Sequence, residues 1–146
     1  MRKKKIENRK TLSVETEIKI RFSEVDSMGI VWHGSYVKYF EDGREAFGKK
    51  YNIGYMDAYN NGFQIPLVKL NFDYIKSLKY NDIAILRTTY IDTPAAKINF
   101  EYELRRKSNN ELITTGESIQ IFMNMYGELH LTTPEFVKEW KEKYLI

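Results

Sequence analysis

The chain has 146 residues, 42% of them hydrophobic and 29% charged, the balance of one globular domain with its own core. It has no cysteine, which excludes disulfides, a thiolate nucleophile and a cysteine zinc site, and no apolar run near the roughly 18 residues a membrane span needs. The net charge of +3 has one source: six of the 23 Lys and Arg residues lie in the first ten positions, and the remainder carries 17 basic against 19 acidic groups, which excludes a compositional case for nucleic-acid binding.

That opening segment, MRKKKIENRK, reads as a solvated basic tail over residues 1–12, ahead of a single domain at 13–146. No apolar stretch follows its charges, so it does not read as a secretory signal. Residues 16–22 alternate, with Ile18, Ile20 and Phe22 on one face and Glu17, Lys19 and Arg21 on the other, which predicts a half-buried strand. Asp26-Ser27-Met28-Gly29 has turn chemistry, because an Asp can bond the backbone two residues on and a Gly accepts positive φ.

From about residue 35 the period changes. Tyr36, Phe40, Gly43, Phe47 and Tyr51 recur at steps of three and four, opposite Lys38, Glu41, Asp42, Glu45 and Lys49. Gly43 inside that stripe costs about 1 kcal/mol against Ala, and the expected return is close approach of a helix to a sheet. Gly48 and Gly54 predict that the helix weakens or ends at 48–54, with a short helix at 55–60 before Asn61-Gly62 breaks it. Strands are predicted at 65–77, entered through Pro66, and at 82–92, 96–107 and 111–125. Thr133-Pro134-Glu135 opens a C-terminal helix, with Pro at its first position and Phe136, Val137 and Trp140 on its apolar face. One strand, one long helix and a run of antiparallel strands make an α+β fold, the helix lying on one sheet face.

The stretch between the first strand and the helix is the candidate site. Turn residues flank an acid and a histidine and open onto a helix N-terminus, a pattern that places a carboxylate, an imidazole and free backbone N–H groups together. Taken singly, an Asp in a turn is ordinarily structural, and a His at a helix start is ordinarily a surface residue. His130 receives no role.

Asp26-Ser27-Met28-Gly29-Ile30-Val31-Trp32-His33-Gly34-Ser35-Tyr36, followed by Phe40-Glu41-Asp42-Gly43-Arg44, resembles the signature of the 4-hydroxybenzoyl-CoA and YbgC-type acyl-CoA thioesterases. Ile65-Pro66-Leu67-Val68-Lys69, Tyr74 and Asp82 extend the likeness, which covers about residues 16–125. The resemblance implies a hotdog fold, an antiparallel sheet wrapped around one long central helix. It implies hydrolysis of an acyl-CoA thioester to a free carboxylic acid and CoA, with Asp26 as nucleophile or general base. The backbone N–H at His33 would serve as the oxyanion site, aided by the helix dipole, and the His33 imidazole would orient groups or shuttle a proton. Trp32, Gly34 and Tyr36 would contact substrate, and Glu41 is a second carboxylate candidate because a related branch uses a helix acid. The family also implies a homodimer or homotetramer with the site at the subunit interface, no metal and no cofactor, and the absence of cysteine agrees with a cytoplasmic location.

Two positions depart from the family pattern. Glu24 stands where an Asp is frequent, and Phe22 stands where some members carry Tyr, so no catalytic hydroxyl is assigned there. Three other functions compete. An acyl-carrier-protein thioesterase differs only in the thiol carrier, and a non-catalytic acyl-binding hotdog dimer would not need Asp26, Gly29 and His33 together. A hydratase would place its His about five residues after the Asp, whereas Asp26 and His33 are seven apart, and the dehydratase His-Phe-Pro-Gly segment is missing.

Overall fold

The structure, a computed structural model, describes residues 9–146; residues 1–8 of the tail expected over 1–12 lie outside the described residues. In chain order the elements are β1 (Thr11–Lys19), a 3-10 turn (Phe22–Glu24), α1 (Ser35–Tyr51), α2 (Tyr55–Asn60), β2 (Phe63–Gln64), β3 (Leu67–Tyr74), β4 (Ile83–Ile91), β5 (Lys97–Arg106), β6 (Leu112–Ile121), β7 (Met123–Asn124) and α3 (Glu135–Tyr144). The five long strands form one antiparallel sheet in the order β1-β4-β5-β6-β3, and β2 pairs with β7.

Alternation decides which face of the sheet is buried. Leu86, Thr88 and Tyr90 of β4 stand opposite Leu104, Tyr102 and Phe100 of β5, and all six are buried. Against this layer lies α1, whose stripe Tyr36, Phe40, Gly43 and Phe47 is buried as its spacing requires. The Phe40 ring sits 4.5 Å from Tyr102 and the Phe47 ring 5.0 Å from Phe100. Burying such a side chain contributes roughly 1.5–3 kcal/mol, so this aromatic seam holds helix and sheet together. α3 closes the far end, where Trp140 packs 5.0 Å from Tyr90 and donates its indole N–H to the Tyr51 carbonyl at 2.7 Å. The arrangement is the α+β sheet about one central helix that the hotdog resemblance implies.

Gly43 has the close approach its position suggested. A Cβ there would run into the Thr88 hydroxyl and lie 2.7 Å from Leu86 Cδ2. Gly48 similarly abuts Gly54, with a Cβ at 2.7 Å from the Gly54 Cα, so α1 runs past Gly48 to Tyr51 and ends on Asn52 in the left-handed region.

Four boundaries differ from the sequence reading. β1 begins at Thr11, so Thr11 and Leu12, expected in the tail, pair with Ile91 and Tyr90. Phe22 leaves the strand face and is 76% exposed in the 3-10 turn, because the Glu24 carboxylate accepts the Arg21 N–H at 2.7 Å and turns the chain after Ile20. The strand predicted at 111–125 breaks at Phe122, whose fully buried ring joins the core, and only Met123–Asn124 continues, paired with β2. Pro134 stands at the cap with ψ 151°, one position before the first turn of α3.

Replacing Gly43 by Ala separates two opposed effects. The helix gains up to about 1 kcal/mol of propensity, while forcing a methyl group onto β4 costs typically about 1–3 kcal/mol. The packing cost is the larger, so urea unfolding of Gly43→Ala should show a lower midpoint at an unchanged m-value.

Candidate active site

Residues 24–32 fold back on themselves as a hairpin. The Glu24 carbonyl accepts the Trp32 N–H at 2.9 Å, Val25 bridges Val31, and the Asp26 N–H donates to the Ile30 carbonyl at 2.8 Å. Gly29 closes the turn at φ +77°, donating its N–H to the Asp26 carbonyl at 3.0 Å, a conformation that glycine alone adopts freely. The hairpin is fixed from below by the Val31 N–H, which donates to the Leu78 carbonyl at 2.8 Å.

A second set of bonds ties this hairpin to α1. Ser35, the first residue of the helix, donates its hydroxyl to the Glu24 carbonyl at 3.0 Å and its N–H to the Trp32 carbonyl at 2.9 Å. Glu24 is only 7% exposed, and Arg21 caps its carboxylate through the backbone N–H at 2.7 Å and Nη2 at 3.4 Å. The buried Tyr39 hydroxyl lies beside the same acid; burial first, and then the Glu24 charge, push it well above the usual phenol range. Burial, followed by the charges of Glu45, Glu41 and Glu24, raises the Asp42 carboxyl above its ordinary value.

The candidate residues fall into three groups. Asp26 and His33 belong to the hairpin–helix unit. Asp26 is half-buried; its Oδ1 accepts the Met28 N–H at 2.8 Å, and Oδ2 has no partner among the described residues. His33 is exposed, its ring 4.9 Å from that of Trp32, and its carbonyl accepts the Tyr74 hydroxyl at 3.2 Å. Among the described residues nothing accepts from the backbone N–H groups of His33 and Gly34. These donors stand immediately before α1 and are available to an anion.

Trp32, Gly34 and Tyr36 surround that junction in different ways. Trp32 is 51% exposed and its ring lies across Gly34, where any Cβ would collide with it. Tyr36 is buried between Tyr39 and Tyr74, with ring centroids 5.8 and 5.3 Å away, and burial raises its hydroxyl's pKa. It is packing beneath the junction rather than an open wall. Glu41 stands apart: it is exposed, about 12 Å of helical rise beyond His33, at the rim of a cavity of about 800 Å³ under the second half of α1.

Glu24 is the residue that sequence reasoning undervalued, noting it only as a departure from a pattern. The signal was its spacing from Arg21, since an acid three residues on is a capping arrangement. His130 packs its ring 4.9 Å from Phe63 and stays outside the site. Among the described residues no group of three His, Asp or Glu side chains could hold a metal ion.

Ser35→Ala should lose the bond between α1 and the hairpin at a cost of about 1 kcal/mol, which lowers the melting temperature by roughly 2–4 °C in a domain of this size. Calorimetry reads the shift, and faster amide exchange at Trp32 would place it at this junction.

A family model described as "Thioesterase-like superfamily" matches residues 20–141. Among solved structures, a DHNA-CoA thioesterase from Staphylococcus aureus is 28% identical with a TM-score of 0.80, covering 91% of this chain and 89% of its own. Slr0204, a 1,4-dihydroxy-2-naphthoyl-CoA thioesterase from Synechocystis, has the same TM-score at 13% identity, over 92% of this chain and 99% of its own. YneP of Bacillus subtilis, provisionally named an acyl-CoA thioesterase, is 35% identical over 88 residues, 60% of this chain and 64% of YneP. The chloroplastic acyl-acyl carrier protein thioesterase ATL3 of Arabidopsis thaliana is 24% identical over 110 residues, 75% of this chain and 58% of its own length. The chain thus spans about six tenths of these two curated relatives.

Proposed function

The chain belongs to the thioesterase-like superfamily and has its hotdog fold; from that premise we propose that it hydrolyses acyl-CoA thioesters to a free carboxylic acid and CoA, using Asp26 and the start of α1. The observation that carries this reading is that one hydrogen-bonded unit holds both the carboxylate of Asp26 and the open N–H groups of His33 and Gly34. The thioester oxygen accepts from those N–H groups, at the positive end of the 17-residue helix α1, where charge developing on it is stabilised.

The free oxygen of Asp26 then has two routes. As a general base it takes a proton from water while the water oxygen bonds to the carbonyl carbon; the C–S bond breaks and the proton passes to sulfur. As a nucleophile it bonds to that carbon itself, expels the thiolate and leaves a mixed anhydride that water opens. The His33 imidazole, beside the indole of Trp32, is placed to orient the substrate or carry a proton. Trp32 over Gly34 forms a wall at the acyl carbon, and Tyr36 supports it from within.

A homodimer or homotetramer with the site at the subunit interface belongs to the same reading. The exposed side chains Leu67, Val68 and Tyr74 on the sheet-edge strand β3 support it. A cytoplasmic location, without metal or cofactor, is a further part of the proposal; no helix of the described residues is long and apolar enough to cross a membrane. The likeness to the Arabidopsis relative favours carrier-protein thioesters as the second substrate class.

Free-thiol release from a panel of short, long and aromatic acyl-CoAs tests the proposal. Asparagine can still accept from the Met28 N–H, so Asp26→Asn should fold normally while turnover falls about 10²–10⁴-fold. Turnover that survives in Asp26→Asn and disappears in Glu41→Gln would move the carboxylate role to Glu41.

A further inference from the structure

The cavity of about 800 Å³ beneath the second half of α1 is not used by the chemistry above. Tyr55, Met56 and Ile65 give it an apolar wall, over a floor of the core residues Phe47, Tyr90, Ile98 and Phe100, and its size lies within the range of small-molecule sites. Arg44 also lines it. Arg44 is half-buried, and the one partner of its guanidinium among the described residues is neutral: Nη1 donates to the Tyr102 hydroxyl at 2.9 Å. Tyr102 is in turn 2.5 Å from the Ser118 hydroxyl and is buried, so the pair holds the guanidinium in a fixed pose.

The acids around the cavity do not answer that charge. Glu45 pairs with Lys49 at 3.2 Å, and Asp57 accepts the Gly54 N–H at 2.7 Å. Glu41 is exposed at the rim, where water screens it. A cation withdrawn from water without a counter-ion is costly unless something anionic can reach it, and a planar guanidinium with uncommitted donors matches a carboxylate in two parallel bonds.

We propose that this cavity is a binding site for a monocarboxylate with an apolar body, the carboxylate on Arg44 and the body against Tyr55, Met56 and Ile65. A nucleotide or a sugar acid would not use the apolar wall, and an uncharged acyl compound would not use Arg44. The site goes beyond the thioesterase reading and stands without it, since Asp26 plays no part in it.

The test uses the full chain carrying Asp26→Asn, in which ligand binding is read apart from turnover. Bound 11-(dansylamino)undecanoic acid is displaced by unlabelled alkanoic acids of six to sixteen carbons, by aromatic acids and by the methyl ester of each. Free acids should compete at least about tenfold better than their esters, and Arg44→Met should remove that preference, as expected for loss of a charge-assisted bond. Alkyl and aromatic acids rank the body the wall accepts. In the ¹⁵N-labelled wild-type chain, the Arg44 Nε–H resonance should shift on adding the best acid, a readout that needs no substitution at Arg44. Esters that compete as well as acids, or an Arg44 resonance that does not move at saturation, would overturn the proposal. Loss of thiol release in the wild type would leave it standing and count only against the proposed reaction.

Discussion

The Glu24 carbonyl accepts from two donors at once, the Trp32 N–H at 2.9 Å and the Ser35 hydroxyl at 3.0 Å. One donor closes the hairpin on which Asp26 sits, and the other belongs to the first residue of α1. A single buried oxygen therefore fixes the position of the carboxylate relative to the helix start. Nothing in the Asp26 turn alone would do so, since an Asx turn sets only local geometry. The side chain of the same residue caps Arg21 and ends the first strand, so the chain's departure from the sheet and its return into the helix depend on one buried acid.

The helix end of that clamp is held by a different force. Gly43 lets α1 lie directly on Thr88 and Leu86, and the rings of Phe40 and Phe47 then meet Tyr102 and Phe100. Dispersion and burial over this seam greatly exceed what two hydrogen bonds contribute, so the core sets where the helix lies and the clamp sets where its first amides point. Catalysis of the proposed kind depends on that division, because donors aimed at a developing oxyanion must be fixed before the reaction begins.

Much of this was legible in the sequence, for physical reasons that differ by element. The stripe Tyr36, Phe40, Gly43 and Phe47 announced α1 and the close approach at Gly43, because helical period and glycine's missing Cβ are local facts. Ile98, Phe100, Tyr102 and Leu104 announced the buried face of β5 for the same reason. What escaped was decided by distant partners. Thr11 and Leu12 look like tail until Ile91 and Tyr90 are beside them, and Phe22 alternates with Ile20 yet is turned out by the Glu24 cap. The break at Phe122 reflects a ring drawn into the core, which no alternation pattern records. At the site, the Asp, Gly and His were visible as a motif. The burial of Glu24 and the uncommitted charge of Arg44 were not, because each depends on which side chains lie across a cavity or a turn.

The account's central claim is that the thioester oxygen meets the N–H groups of His33 and Gly34. It is tested most directly by ¹H–¹⁵N spectra of labelled Asp26→Asn protein titrated with an acyl-CoA analogue whose thioester sulfur is replaced by a methylene group. The ketone oxygen of that analogue should produce its largest amide shifts at His33 and Gly34, with smaller ones along the hairpin to Asp26. Saturable binding that leaves those two amides unmoved, with the shifts gathered elsewhere on the sheet or around Arg44, would contradict the account.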